Sequence, residues 1–346
     1  YFDINKLDPN EDVIFNFSAN TIDGFLEKQG NNTKSRFKDY QGVVITHLTH
    51  YMHGADKIYR DITKYKKGYL VAENNFSNNP YFKNYFPNVA EVYQLPFVFG
   101  KRFKRINLEF VSRVNKCFAV GTVFHPRSES YVKFFGASTA LHPMRKKILE
   151  KKAELDDVID CFIADYDTVE DIRKIIDSDS IVRKTLKRSL PKFILVKIFP
   201  NYYKKYFSFD IVRKYNDYRM FVSPEEIIGL PSVNVFEGMA TGCAYVGIDD
   251  AMYTNIGMKE GVNYIAYKAG DVEDMVSKIR YYQANPVELE RIASNGYEFV
   301  TKRFNNKAVS DVFWNDIDRL LNKINSGENT FDCSFGRDNF SKPNGN

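Results

Sequence analysis

The chain has 346 residues, more than a single core usually covers, so two domains of about 100 to 200 residues each are expected. A net charge of +5 with no recognisable nucleic-acid module argues against a nucleic-acid partner, and 44% hydrophobic residues supply two ordinary cores. No run of eighteen apolar residues and no charged-then-apolar leader occurs, so neither a membrane span nor a secretion signal is expected. The four cysteines, Cys117, Cys161, Cys243 and Cys333, lack C-x-x-C spacing and read as reduced residues of a cytoplasmic protein. The sequence opens on Tyr1 rather than Met, which reads as a piece of something longer.

Short apolar runs alternate with amphipathic stretches along the chain. They are Asp12 to Phe17, Gly42 to Leu48, Gly68 to Ala72 and Ala90 to Phe99, then, after a basic connector from Lys101 to Arg105, Lys116 to Val120, Asp160 to Ala164, Tyr218 to Ser223, Cys243 to Ile248 and Tyr264 to Tyr267. That alternation is the pattern of parallel sheets with helical crossovers, here two α/β halves joined near residues 100 to 112. Asp271 caps a helix whose Val272, Met275, Val276 and Ile279 share one face, and Asn285 before Pro286 starts another. Beyond Asn325 the composition turns to Gly, Ser and Asn, and residues 326–346 are expected to be a disordered tail.

Four segments carry candidate chemistry. His47, His50 and His53 fall at the end of GVVITHLTHYMHGAD, but a spacing of three on an extended strand sends alternate side chains to opposite faces, and no H-E-x-x-H accompanies them, so no metal site is expected. Asp165-Tyr166-Asp167 has the spelling of a metal-binding D-x-D but reads as a loop and helix cap. Arg183 to Lys205 holds eight basic side chains and no acidic one among Leu, Phe, Ile, Val and Tyr; it reads either as a membrane-interface stretch or as a buried strand flanked by solvated lysines. The most informative stretch is GLPSVNVFEGMATG, residues 229–242, with the apolar run CAYVGI behind it. A lone acid, Glu237, opens a helix poor in bulky side chains next to a predicted strand, where an open α/β sheet takes phosphorylated ligands, and such an acid can accept hydrogen bonds from two ribose hydroxyls.

Lys214 to Phe304, and more loosely residues 112–322, resemble the nucleotide-binding domain of GT-B glycosyltransferases, especially the group-1 type related to the CgeB-like branch. KYNDYRMFVSPEEIIGLPSVNVFEGMATGCAYVG carries the likeness most clearly, GTVFHPRS and LHPMRKKIL support it, and residues 251–304 resemble the closing strand and two helices. The resemblance implies two Rossmann-like domains with parallel sheets facing a central cleft. An acceptor-side domain would span residues 1–110, reduced or truncated at its start, and a nucleotide-sugar domain residues 111–325. It implies that Glu237 binds the donor ribose, that the backbone of Ser232, Val233 and Asn234 lies near the diphosphate, and that Gly121, Thr122, Arg145, Arg127 and Lys146 line the donor phosphates. His53 and Asp56 are the catalytic candidates: one would be the general base if the reaction inverts the anomeric centre, whereas His53 would hydrogen-bond the donor if it retains configuration. The family's earlier acid, eight residues before Glu237, is replaced here by Gly229, with Glu225 or Glu226 as substitutes if the loop is longer.

The implied activity is a hexosyl- or deoxyhexosyltransferase that moves a sugar from a nucleotide sugar to a glycan or lipid-linked acceptor in surface polysaccharide synthesis. It would need no metal or other cofactor, and would work in the cytoplasm or at the inner face of the membrane through residues 183–205. A nucleotide-sugar epimerase and a non-catalytic sugar-nucleotide-binding subunit of a polysaccharide assembly complex are the alternatives.

Overall fold

The computed structural model describes residues 6–16, 40–48, 67–87, 89, 92–107, 109–123, 140–165, 209–224 and 227–326. His50, His53, Asp56, Arg127, Tyr166, Asp167, Glu225, Glu226, the basic stretch 183–205 and the tail from residue 327 lie outside the described residues. In chain order the elements are β1 Val13–Asn16, β2 Val43–Leu48, β3 Lys67–Ala72, α1 Pro80–Tyr85, β4 Tyr93–Gln94, β5 Val114–Val123, α2 Pro143–Glu150, β6 Ile159–Asp165, α3 Ile211–Asp217, β7 Tyr218–Val222, α4 Val233–Met239, β8 Ala244–Ile248, α5 Ala251–Asn255, β9 Ile265–Tyr267, α6 Val272–Ala284, α7 Pro286–Arg303 and α8 Asn306–Asn325.

The chain packs into two compact units, Tyr1–Pro96 with Lys307–Asn346, and Phe97–Asn306. Each holds one parallel sheet, so the α/β architecture expected from the alternating runs is present. The unit boundaries differ from the 110 and 325 read from the sequence, and local packing explains both shifts. Asn216 staples the connector into the second unit: its Oδ1 accepts from the N–H of Ile106 at 2.7 Å and of Asn107 at 3.2 Å, while its Nδ2 donates to the carbonyl of Lys104 at 3.0 Å. At the other end, the apolar stripe Val309, Phe313, Ile317 and Leu320 of α8 is buried. It recurs every three or four residues, which gathers it on one helical face.

In the first unit the strands pair in parallel in the order β1-β2-β3-β4. Alternate residues point to opposite faces. Val43, Ile45, Tyr69, Val71 and Tyr93 form a core with Phe313, Ile317 and Leu320 of α8, while Ile14 and Val44 on the opposite face pack with Tyr40. Both faces of β2 are therefore covered, which is why Val43, Val44 and Ile45 follow one another as consecutive apolar residues rather than alternating with polar ones. The run Ala90 to Phe99 yields only two strand residues. Leu95 still donates to the carbonyl of Ala72 at 2.7 Å, but Pro96 has no N–H to continue the ladder.

In the second unit the order is β6-β5-β7-β8-β9, all parallel. Cys117 and Cys243 are buried in this core, and Cys117, Cys161 and Cys243 are not in disulfides. Burial pushes the thiols of Cys117 and Cys243 up, which disfavours their thiolate forms. Gly238 brings α4 directly onto β7, since a Cβ there would lie 2.3 Å from the Phe221 ring. Gly238→Ala is expected to lower the stability of this unit by about 1 to 3 kcal/mol through that overlap, measured by urea denaturation; an unchanged midpoint would show that the ring has room to move.

Candidate functional site

Numbered within the second unit, the sheet order is 2-1-3-4-5, and the direction of winding reverses between β5 and β7. In open α/β sheets the ligand crevice lies outside the carboxyl ends of the strands at such a reversal. Here those ends are Gly121 to Val123 of β5 and the Ser223–Pro224 that follows β7.

Arg145 holds the two ends together. Pro143 starts α2 with its φ already set for a helix, which places Arg145 in the first turn. The side chain is 5% exposed; its Nε donates to the carbonyl of Pro224 at 2.7 Å and its Nη1 to the carbonyl of Thr122 at 3.2 Å. Gly121 makes room for this strap. It sits within β5 rather than after it, at φ +137°, and a Cβ there would meet Arg145 Nε at 2.7 Å. The sequence links Gly121, Thr122 and Arg145 to phosphate, and the structure brings these three together at the reversal. It does so by committing guanidinium donors to backbone carbonyls. Lys146, by contrast, pairs along its own helix with Glu150 at 3.8 Å in a solvated i,i+4 contact, which contributes little to stability.

The start of α4 closes the same crevice from the β7 side. Ser232 occupies the cap position without capping the helix through its side chain. Its hydroxyl instead lies 3.4 Å from that of the fully buried Ser223, to which Asn234 Nδ2 also donates at 3.3 Å. Val233 between them is partly exposed. The loop before α4 is tied across the reversal by the N–H of Ile227, which donates to the carbonyl of Leu141 at 2.8 Å.

Glu237 stands one turn into α4 rather than at its opening. Its neighbours Val235, Phe236, Gly238 and Met239 are buried, and the Phe236 ring packs tilted against Phe304 with centroids 4.6 Å apart. Glu237 itself is half-buried, and among the described residues nothing hydrogen-bonds its carboxyl. Burial pushes its pKa up to about 7, against the opposing pull of the Arg102 charge. A half-buried carboxyl with unmet acceptor capacity is suited to hydroxyl donors from a ligand. The turn that follows is fixed by the buried Arg113, whose Nη2 donates to the carbonyls of Asn107 at 2.6 Å and Thr241 at 3.0 Å. Gly242 at φ +76° then turns the chain into β8.

Two residues of this neighbourhood escape a reading of the sequence alone. Gly229, where the family resemblance leads one to look for an acid, adopts φ +78°, and a Cβ there would lie 3.1 Å from a carboxyl oxygen of Asp250. Asp250 follows β8 and caps α5 by accepting from the N–H of Met252 at 2.7 Å; burial, with Asp249 adding, raises its pKa. In sequence it reads as a turn aspartate, and only the pairing of β7 with β8 brings it over Gly229. Arg102 is the other. It lies in the basic connector, whose attachment to the second unit depends on Asn216, over a hundred residues away.

Among the described residues no cluster of three His, Cys, Asp or Glu side chains is placed to hold a metal ion. No helix among them is long and apolar enough to cross a membrane.

The β7 side of the crevice at the β5/β7 reversal, with Glu237 beside it, lies within a segment that comparison with known proteins also singles out. The sequence model of a family described as glycosyl transferase-like matches residues 184–313, the segment that holds β7, α4 and Glu237. No curated protein matches the chain. Among solved structures, it is similar to a glycosyltransferase from Rickettsia africae, at 12% identity and a TM-score of 0.47 over 91% of this chain and 77% of that one. It is also similar to HepE from Anabaena in complex with UDP-glucose, at 11% identity and a TM-score of 0.49 over 83% and 72%, and to sucrose-phosphate synthase from Thermosynechococcus elongatus, at 11% and 0.47 over 91% and 74%. The glycosyltransferase resemblance read from the sequence is thus met by an independent family match over its strongest segment.

Proposed function

We propose that the chain is a GT-B-type glycosyltransferase whose second unit binds a nucleotide sugar and releases the sugar to an acceptor. One observation carries this reading: the half-buried carboxyl of Glu237, without a hydrogen-bond partner among the described residues, next to the β5/β7 reversal and inside the segment matched by the glycosyl transferase-like family. In this reading Glu237 accepts from the two ribose hydroxyls, and the amides around Ser232, Val233 and Asn234 face the diphosphate. The bond from the sugar to the diphosphate breaks as negative charge grows on the leaving oxygens, which fixed donors stabilise without a metal ion. Arg145 acts here by fixing the crevice walls, and Asp250 supplies a carboxyl beside Gly229.

The remaining parts belong to the same proposal. The transferred group is a hexosyl or deoxyhexosyl unit, and the acceptor is a glycan or lipid-linked saccharide in polysaccharide synthesis. His53 or Asp56 serves as base if configuration inverts, Arg127 adds a phosphate contact, and residues 183–205 touch an anionic membrane surface. Supporting the last point is the run of eight cationic side chains without an acid.

Incubating the full chain with UDP-, GDP- and dTDP-sugars tests the reading. Slow hydrolysis of a donor, or transfer to added saccharide, is the expected result. An isomerised donor would replace the transferase by an epimerase, and binding without turnover would leave a non-catalytic subunit.

A further inference from the structure

Asp250 follows β8, the strand next to β7, and its carboxyl lies against the loop that runs from β7 into α4. We infer that this carboxylate restricts the transferred group to a neutral sugar and turns away uronic acids, an inference that rests on the nucleotide-sugar reading given above. A nucleotide sugar is joined in the order ribose, diphosphate, sugar. The residues assigned to it run the same way, from Glu237 within α4 to Ser232, Val233 and Asn234 at its start. Continuing in that direction, the next stretch of chain is Gly229 to Pro231, and Asp250 stands against Gly229.

The carboxyl is held in place. One oxygen caps α5 by accepting from the N–H of Met252 at 2.7 Å. A Cβ at Gly229 would lie 3.1 Å from one carboxyl oxygen, 3.2 Å from the other and 3.2 Å from the carbon between them, so the group turns its flat side to the glycine. The φ of +78° favours glycine there independently, which keeps this side of the carboxyl clear of any side chain. Asp250 is half-buried, and its second oxygen has no hydrogen-bond partner among the described residues. No cation among them pairs with it, and neighbouring Asp249 adds to the negative charge rather than offsetting it. A fixed carboxylate with spare acceptor capacity and no counter-charge matches sugar hydroxyls, which donate hydrogen bonds and bring no charge. A carboxylate on the sugar would instead set like charges together in a partly desolvated crevice, and such a juxtaposition discriminates strongly between ligands of equal shape.

Calorimetry on the full chain first ranks UDP, GDP and dTDP, and the base that binds is then compared as its glucose and its glucuronate derivative. The glucose derivative is expected to bind at least about tenfold tighter than the glucuronate derivative, and Asp250→Asn to shrink that ratio to about threefold or less. Asparagine can still cap α5 through its side-chain oxygen, so the substitution removes the charge and keeps the helix start. Reading each affinity against the bare diphosphate in the same chain cancels any general disturbance of the crevice. Equal affinity for the two derivatives in the unaltered chain, or a ratio that Asp250→Asn leaves as it was, overturns the inference while diphosphate binding stands. Failure of all three diphosphates to bind removes the nucleotide reading itself, and this inference with it.

Discussion

Replacing Glu237 by Gln is expected to stabilise the protein at pH 8 and, on the proposed site, to weaken nucleotide binding. The carboxyl has a pKa of about 7 in the folded chain against an ordinary 4.5, and burial is the main cause. The folded state therefore binds the proton more tightly than the unfolded one. Below pH 4.5 both states are protonated and the residue costs nothing. Between 4.5 and 7 only the unfolded chain ionises, so stability falls as pH rises; above 7 the whole penalty is present. Gln carries no charge at any of these values, so the gain should be near zero at pH 4.5 and reach about 1 to 2 kcal/mol above pH 7, after allowing for partial solvent screening of a half-exposed group. For a chain of this size that is a rise of several degrees in melting temperature at pH 8.

In the proposed site the same substitution would remove one charge-assisted acceptor from the ribose, and Glu237→Ala both, with an expected loss of about 1 to 3 kcal/mol in nucleotide affinity. In the unaltered chain, affinity should also decline as pH drops through 7 and the carboxyl takes up its proton, whereas the Gln variant should bind with a flat profile. Melting curves at pH 5 and pH 8, with calorimetric titration of UDP, GDP and dTDP, read all of this. A melting gain that is the same at both pH values removes the electrostatic account, and unaltered affinity for every nucleotide removes Glu237 from the binding site.

The second large effect is expected at Arg145. Arg145→Met leaves the carbonyls of Pro224 and Thr122 without their donors in a buried setting, at a cost of about 2 to 4 kcal/mol in stability. An arginine that acted only as an exposed phosphate clamp would show the opposite split, with binding lost and stability kept. Urea unfolding beside nucleotide titration separates the two roles. Arg145→Lys should fail to rescue stability, because an ammonium cannot reproduce the fixed spread of guanidinium donors that reaches two strand ends at once. Wild-type stability in both variants would show that the strap is dispensable.

The strands were legible because β2, β5, β7 and β8 are covered on both sides, which leaves apolar runs with clear ends. The run ending at Phe99 misled for a local reason: its residues are apolar, but Pro96 cannot donate to the ladder. Glu237 could be singled out because it is the one Asp, Glu, Lys or Arg between Glu226 and Asp249. Its depth within α4 could not, since that depends on where the loop from Ser223 meets the helix. Arg145 shows the same limit in sharper form. The sequence fixes a cationic residue in the first turn of α2, whereas the direction of its guanidinium follows from the missing Cβ of Gly121 on a strand 24 residues earlier. Asp250 was hidden because contact with Gly229 is a property of neighbouring strands, and nothing in the chain between them announces it.

The return of α8 to the first sheet has a consequence for biogenesis. During synthesis β1 to β4 leave the ribosome early, yet Phe313, Ile317 and Leu320, which cover one of their faces, emerge only after the whole second unit has been made. That apolar face stays uncovered in the interval, so the unit translated first is the one that completes its folding last.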